Sequence, residues 1–236
     1  MEKNIVAIVQ ARMGSRRFPE KMGQALCGYS ILQWVVRRTK QSKKINKIVL
    51  ATSVNKENDS LAEEAKKLNI EVYRGEEENV LSRFVNIAKN TKATIIVRIC
   101  ADNTLICASE IDRAINFYLQ EQPDYAFNHI PKLGNNYIDG LGAEVFACGL
   151  LFEIDKRADH QRHFEHVTVY LWENRDNYDI RTINAPPQYA HPHLVFDVNT
   201  RSQLNYLEKI IQGSGQSGKA PEQVDVHKIV TKILAD

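Results

Sequence analysis

The chain alternates between two kinds of hydrophobic pattern. Short runs that are apolar at almost every position, NIVAIV (4–9), KIVLAT (47–52), IEVYRG (70–75) and TIIVRI (94–99), are rich in β-branched residues. Continuous apolar runs of that length predict strands buried on both faces. Between them the apolar residues recur every three or four positions: Ile31, Leu32, Val35 and Val36; Leu61, Ala62, Ala65 and Leu68 within 56–68; Val80, Leu81, Phe84, Ile87 and Ala88 within 79–90; then a further stretch at 109–120. That spacing predicts amphipathic helices, the first with Ser30 as its N-cap. The repeated strand–helix order predicts an α/β fold, a mostly parallel sheet wound with helices on both faces.

The pattern loosens after residue 121. DYAFNH (124–129), GAEVFA (142–147), YDIRTI (178–183) and HLVFDV (193–198) predict strands. Residues 150–157, 163–174, 201–211 and about 222–234 predict helices, and GSGQSGKAP (213–221) predicts a flexible connection. No internal repeat is visible. The length of 236 residues fits one large α/β domain. A hydrophobic fraction of 43% and a charged fraction of 25% are those of a globular protein. The net charge of only +2 argues against a general nucleic-acid binder. No apolar run is long enough for a membrane span, and MEKNIVAIVQ does not read as a signal peptide, so a cytoplasmic protein is expected. Cys27, Cys100, Cys107 and Cys148 are scattered with no CxxC pair, which predicts core thiols and neither a zinc knuckle nor a disulfide scaffold.

Because the overall charge is small, the cluster in VQARMGSRRFPEKM (9–22) is a local feature. It follows the first strand, and ligands of open α/β sheets sit beyond the carboxyl ends of the strands. The segment is neither G-x-G-x-x-G nor G-x-x-x-x-G-K-[ST]. Gly14 lets backbone approach an anion, amides near Gly14 and Ser15 can form a nest, and Arg12, Arg17 and Lys21 can clamp phosphate oxygens. A triphosphate suits so many donors, with Arg16 expected outside the cradle. A solvated basic loop has the same composition; its placement favours an anion site. Asp102 follows TIIVRI and Asp197 ends HLVFDV, so two carboxylates at one sheet edge would suit Mg2+; either alone could be a turn residue. Arg98 could pair with a carboxylate or a phosphate, or brace the loop. Glu76, Glu77 and Glu78 suit a helix N-terminus, with Arg74 and Arg83 toward the cleft. His160, His163 and His166 are spaced by three, too few ligands for zinc.

VQARMGSRRFPEK, followed in order by IVLATSVNKEND, VYRGEEENVLSRF, VRICADNTLICASEID, YIDGLGAEVF, FEHVTVYL and VFDVNTRSQL, resembles the cytidylyltransferases that make CMP-activated sugar acids, above all the branch named after the spore-coat polysaccharide protein SpsF. The resemblance implies a Rossmann-like nucleotide-diphosphosugar transferase fold over 1–236, with a nucleotide-binding half to about residue 121 and an acceptor and dimerisation half beyond. It implies that CTP and a sugar acid, with Mg2+, give a CMP-sugar and pyrophosphate for surface polysaccharide. Ala11, Arg12, Met13, Gly14, Ser15, Arg17, Lys21 and Arg74 would bind nucleotide. Arg12, Lys21 and Asp102 would be catalytic, and Asp102 and Asp197 would hold the metal. Asp139, Glu144, Glu165 and His166 would lie near the acceptor. A homodimer through 124–175, with no nucleic-acid or membrane partner, is also implied. The sequence departs from that pattern at Thr104, where proline is usual, at Gly142, where an acid is usual, and at Glu20, where glycine is common. A glycosyltransferase of the same fold class is one alternative, although ADN stands where D-x-D would be expected; a non-catalytic nucleotide-binding homologue is another.

Overall fold

A computed structural model of the chain describes residues 3–15 and 17–235; Arg16, expected outside the phosphate cradle, lies outside the described residues. The strands are β1 (Ile5–Gln10), β2 (Ala25–Leu26), β3 (Tyr29–Ser30), β4 (Lys47–Ser53), β5 (Glu71–Gly75), β6 (Ile95–Cys100), β7 (Tyr125–Phe127), β8 (Glu144–Ala147) and β9 (Ile180–Thr182). The helices are α1 (Ile31–Thr39), α2 (Asp59–Lys67), α3 (Val80–Thr91), α4 (Ala108–Glu121), α5 (Cys148–Arg157), α6 (Gln161–Glu165), α7 (Val169–Glu173), α8 (Arg201–Gly213) and α9 (Val226–Ala235).

The main sheet has the order β5-β4-β1-β6-β8-β7-β9, and β2 and β3 form a separate hairpin. β1 runs parallel to both neighbours, with Ile8 opposite Val49 on one side and Arg98 on the other. β8 is antiparallel to β6 and β7. The buried residues of β1 alternate between two cores. Ile5, Ala7 and Val9 join residues of α1, α2, α4, α8 and α9; Val6 and Ile8 join residues of α3, α5 and α7. This is the three-layer α/β/α arrangement the pattern predicts.

Ser30 caps α1 as expected. Its hydroxyl accepts from Gln33 N–H at 3.0 Å while Gln33 Oε1 accepts from Ser30 N–H at 3.1 Å, a capping box. From β1 the chain moves outward to β4 and β5, then crosses back to β6 on the other side. That reversal opens a crevice beyond the carboxyl ends of β1, β4 and β6.

Three expectations for the second half are corrected. HLVFDV is not a strand: it makes only the isolated bridges Asn103–Asp197 and Asp139–Val195, because its neighbours are loops. The helix expected over 163–174 breaks into α6 and α7, with His166 extended at φ −124°; β-branched Val167, Thr168 and Val169 sit at the break. GSGQSGKAP is an ordered turn. Gln216 is buried, its Oε1 accepting from Asp225 N–H at 2.7 Å and its Nε2 donating to Asp225 O at 2.9 Å.

Candidate functional site

The loop leaving β1 is shaped by its own backbone. Ala11 N–H donates to Ala51 O at 3.2 Å, and Met13 N–H to Oδ1 of the buried Asn58 at 2.8 Å. Met13 O accepts from the N–H groups of Ser15 at 2.7 Å and Glu20 at 3.3 Å. The Ser15 amide, expected to face an anion, is therefore spent inside the loop. Ser15 Oγ accepts from Phe18 N–H at 3.3 Å, and Phe18 is buried as the loop's anchor. Glu20 turns the chain in the left-handed region (φ 53°, ψ 25°) into a 3₁₀ turn at Lys21–Gly23, which leaves the Lys21 side chain only 10% exposed.

A cleft of about 690 Å³ lies above this sheet edge. Ala11, Arg12, Gly14, Ser15, Arg17 and Lys21 line one side; Arg98, Cys100 and Asp102 line its base; Glu165 and His166 come from the α6 end. Every described cation of the loop meets an oxygen. Arg12 Nη1 lies 3.0 Å from Glu77 Oε1, Arg17 Nη2 donates to Asn199 Oδ1 at 2.9 Å, and Lys21 Nζ lies 3.3 Å from Asp102 Oδ2. Glu77 thus holds a loop arginine across the cleft in addition to standing ahead of α3.

Backbone bonds lace the three acidic loops together. Val198 N–H donates to Asp102 O at 2.9 Å, Phe196 N–H to Asp139 O at 3.0 Å, and Asp139 N–H to Leu194 O at 3.1 Å. Burial, then Asp197 and Asp102, push the Asp139 carboxyl up to about 6. Burial and Asp102 likewise raise Asp197, the response of carboxylates crowded away from water. Asp197 Oδ1 is buried with no hydrogen-bond partner among the described residues. Asp102 and Asp197 therefore fit a hard dication that completes its shell with water and phosphate oxygens, as Mg2+ does.

Among the described residues, the trio whose potential ligand atoms all lie within 4.8 Å of one another is a different one, Cys100, His129 and Glu144. That trio already has its cation. Arg98 Nη1 is bonded to Glu144 Oε1, and His129 Nε2 lies 3.2 Å from the same oxygen. Burial opposes the Glu144 charge, but Arg98 and His129 overcome it and hold the carboxyl below its ordinary range. Of the roles open to Arg98, pairing with a carboxylate is the one the geometry displays; Gln10 Oε1 also accepts from it at 3.3 Å.

The remaining expected site residues separate. Met13 is packed against the core and is not among the residues lining the cleft. Arg74 is turned to its own loop, donating to Ser53 O at 2.9 Å and Asn55 O at 3.0 Å and pairing with Asp59 at 2.7 Å, so it braces the cleft wall and does not line it. Asp139 and Asp197 are not among the residues lining the cleft. Glu144 is buried and faces a second cavity of about 310 Å³, which shares His166 with the cleft. His163 is buried against Glu173 at 2.7 Å and Asp159 at 3.1 Å, whereas His166 lies at the cleft, so the spaced histidines form no common site.

Sequence reasoning missed Gln10, Asn58 and Asn199. Asn199 stands two residues beyond Asp197, which is a readable signal. Asn58 carries none, because its work is two bonds that only the fold brings together: its Oδ1 accepts from Met13 N–H at 2.8 Å and its Nδ2 donates to Ser53 Oγ at 2.8 Å.

The cytidylyltransferase family profile matches residues 6–224. The spore coat polysaccharide biosynthesis protein SpsF of Bacillus subtilis is 29% identical over 218 residues, 90% of this chain and 88% of that protein. A cytidylyltransferase structure from Leptospira borgpetersenii superposes with a TM-score of 0.86 at 24% identity, covering 99% of this chain and 94% of that one. CMP:2-keto-3-deoxy-manno-octonic acid synthetase complexed with CTP superposes with a TM-score of 0.66 at 13% identity, covering 89% of this chain and 99% of that one. A basic loop and an aspartate facing each other across the switch point of such a sheet are what a nucleotidyltransferase needs, and with the profile spanning nearly the whole chain the protein belongs to the cytidylyltransferase family.

Proposed function

We propose that the protein transfers CMP from CTP to a sugar acid, a 2-keto acid sugar or a relative of one, releasing pyrophosphate, in the synthesis of a surface polysaccharide or glycan. The observation that carries this reading is the Lys21–Asp102 approach at 3.3 Å, which joins the basic loop to an acidic strand end in one cleft. The likeness to SpsF, and to a synthetase whose structure holds CTP, supports it.

In this reading Arg12, Arg17 and Lys21 exchange their present oxygen partners for phosphate oxygens, with Gly14 allowing close approach. Asp102 and Asp197 would hold Mg2+, which when bound draws charge from the phosphates. The acceptor hydroxyl attacks the α-phosphorus, an O–P bond forms as the hydroxyl proton passes to solvent, the bond from the α-phosphorus to the bridging oxygen breaks, and pyrophosphate departs with that oxygen. No enzyme nucleophile is required; the chain contributes position and fixed positive charge. Glu165 and His166 stand at the acceptor end. A homodimer through 124–175 and a cytoplasmic setting belong to the same reading; light scattering tests the first. Among the described residues no helix is long and apolar enough to cross a membrane.

Incubation with CTP, Mg2+ and a panel of 2-keto sugar acids should release pyrophosphate, with UTP and ATP as controls. No pyrophosphate, together with no thermal stabilisation by CTP, would defeat the proposal.

A further inference from the structure

Asn199 spans two charged groups of opposite sign. Its Oδ1 accepts from Arg17 Nη2 at 2.9 Å, and its Nδ2 donates to Asp197 Oδ2. A guanidinium only donates and a carboxylate only accepts, so one orientation of the amide serves both. Aspartate at 199 would repel Asp197, and an apolar residue would serve neither partner. The backbone is fixed as well. Asn199 N–H donates to Gln203 Oε1 at 2.8 Å, and Thr200 caps α8 by accepting from Gln203 N–H at 3.3 Å. Arg17 differs from the other described cations of the loop. Arg12 and Lys21 face the carboxylates of Glu77 and Asp102, whereas Arg17 faces a neutral amide. An arriving anion therefore draws Arg17 away at the smallest electrostatic cost. On its other side Asn199 occupies Oδ2 of Asp197, and Oδ1 has no partner among the described residues.

We propose that Asn199 is a positioning residue that couples anion binding at Arg17 to cation binding at Asp197. The proposal rests on the cytidylyl-transfer reading, with a triphosphate as the anion and Mg2+ as the cation. While Arg17 holds Oδ1 it polarises the amide and strengthens the Nδ2–H bond to Asp197, since linked hydrogen bonds reinforce one another. When Arg17 turns to a phosphate oxygen that reinforcement ends, and Oδ2 of Asp197 recovers negative charge for a cation. Asn199 meanwhile keeps the carboxylate turned as it is, with Oδ1 free. Triphosphate thus strengthens the hold on Mg2+, and by linkage Mg2+ strengthens the hold on triphosphate by the same factor.

Calorimetry with a non-hydrolysable CTP analogue, with and without Mg2+, tests the coupling. In the wild type Mg2+ should tighten analogue binding by about fivefold or more. Asn199→Ala should bind the metal-free analogue as well as the wild type, or up to about threefold better, because Arg17 has lost its competing partner. The tightening by Mg2+ should nevertheless fall by about threefold or more in that variant. A purely structural defect would weaken both measurements together. Asn199→Ser, polar but too short to bridge both partners, should behave like Asn199→Ala. Arg201→Met cuts the neighbouring bond to Gln24 Oε1, 2.6 Å long, and leaves Asn199 in place, so it should keep the wild-type tightening. In an Asp197→Ala background, adding Asn199→Ala should change the tightening by less than about 1.5-fold, because its partner is already gone. Wild-type tightening in both Asn199 variants, full additivity with Asp197→Ala, or a wild type that binds the analogue equally with and without Mg2+ overturns the proposal alone. A wild type that binds no analogue defeats the cytidylyl-transfer reading, and the coupling falls with it.

Discussion

Lys21 Nζ and Asp102 Oδ2 lie 3.3 Å apart, although 81 residues separate them in the chain. The sheet explains the meeting. β1 and β6 are adjacent parallel strands with Gln10 opposite Cys100, so the loops that follow them start side by side at the same edge. The lysine is nearly buried and the aspartate is partly exposed. An arriving anion can take the lysine, which leaves Asp102 available to a cation.

Asp102→Asn keeps the shape and removes the charge. Turnover of CTP should fall by about a hundredfold to a thousandfold, the usual cost of losing one preorganised electrostatic partner. Stability should fall by about 1–3 kcal/mol, because the nearly buried Lys21 ammonium loses its carboxylate. Steady-state kinetics and urea melts check both; wild-type turnover in the variant would remove Asp102 from the proposed machinery.

The first half of the fold was legible because its strands are buried on both faces: Ile5–Gln10 is apolar up to its last residue, and Ile95–Cys100 is interrupted only by Arg98. HLVFDV carries the same signature for another reason. Leu194, Phe196 and Val198 are buried and alternate with the exposed Val195, but they pack beneath loops and have no strand beside them. Hydrophobic pattern reports burial, and here burial came without a ladder. Within the site, the loop cations were legible from their charge. Arg74 was misplaced because charge alone does not say which way a guanidinium turns.

Glu20 occupies a left-handed backbone position, φ 53°, where glycine carries no steric cost and an L side chain costs about 1–2 kcal/mol. Its hydrogen bonds, N–H to Met13 O and O from Gly23 N–H, are both made by backbone and survive substitution. Glu20→Gly should therefore stabilise the protein by about 0.5–1 kcal/mol after allowance for the greater freedom of an unfolded glycine. It should also lower the KM for CTP by removing a negative charge beside the phosphate loop. Thermal unfolding that shifts downward would refute the strain argument.

Burial, with help from Glu208, pushes the Cys27 thiol up to about 11. Burial, reinforced by Asp102, Glu144 and Asp139, pushes Cys100 up to about 12. The thiolate is the form that alkylates. A raised pKa moves its appearance to higher pH, so at pH 8 both residues should react with iodoacetamide at least about a hundredfold more slowly than a free thiol. Their rates should still be climbing above pH 10. Mass-resolved labelling checks this at each site, and fast modification of Cys100 at pH 8, at the base of the cleft, would mean that its acidic neighbours do not hold the thiol protonated.

Arg38 is 7% exposed and donates to the carbonyls of Ile106 and Pro221 at 2.7 Å and of Val224 at 2.9 Å. One guanidinium thus ties α1 to the loop after β6 and to the segment before α9. Arg38→Met leaves those buried oxygens without donors, and the expected loss is about 3 kcal/mol or more. Lysine cannot reproduce the fork, so Arg38→Lys should recover less than half of that loss in chemical denaturation.

At Gly142 the resemblance leads one to expect an acid, and the structure leaves no room for one. A Cβ there would lie 2.1 Å from Asn128 Oδ1 and 2.4 Å from Asn128 O. Asn128 cannot withdraw cheaply. It is fully buried, its Oδ1 accepts from Ala143 N–H at 2.9 Å, its Nδ2 donates to Glu110 O at 2.8 Å, and its own N–H donates to Ala143 O at 3.1 Å. Glycine at 142 and asparagine at 128 are one packing solution. Gly142→Ala should cost about 3 kcal/mol, the upper range for overpacking a well-filled site, and Gly142→Asp should cost more because it also buries a charge. Pairing either change with Asn128→Gly should recover only part of the loss, since the carbonyl at 128 stays in place while its side-chain bonds are gone. A Gly142→Ala variant within about 1 kcal/mol of the wild type in urea would mean that β7 and β8 can part at this point without disturbing their ladder.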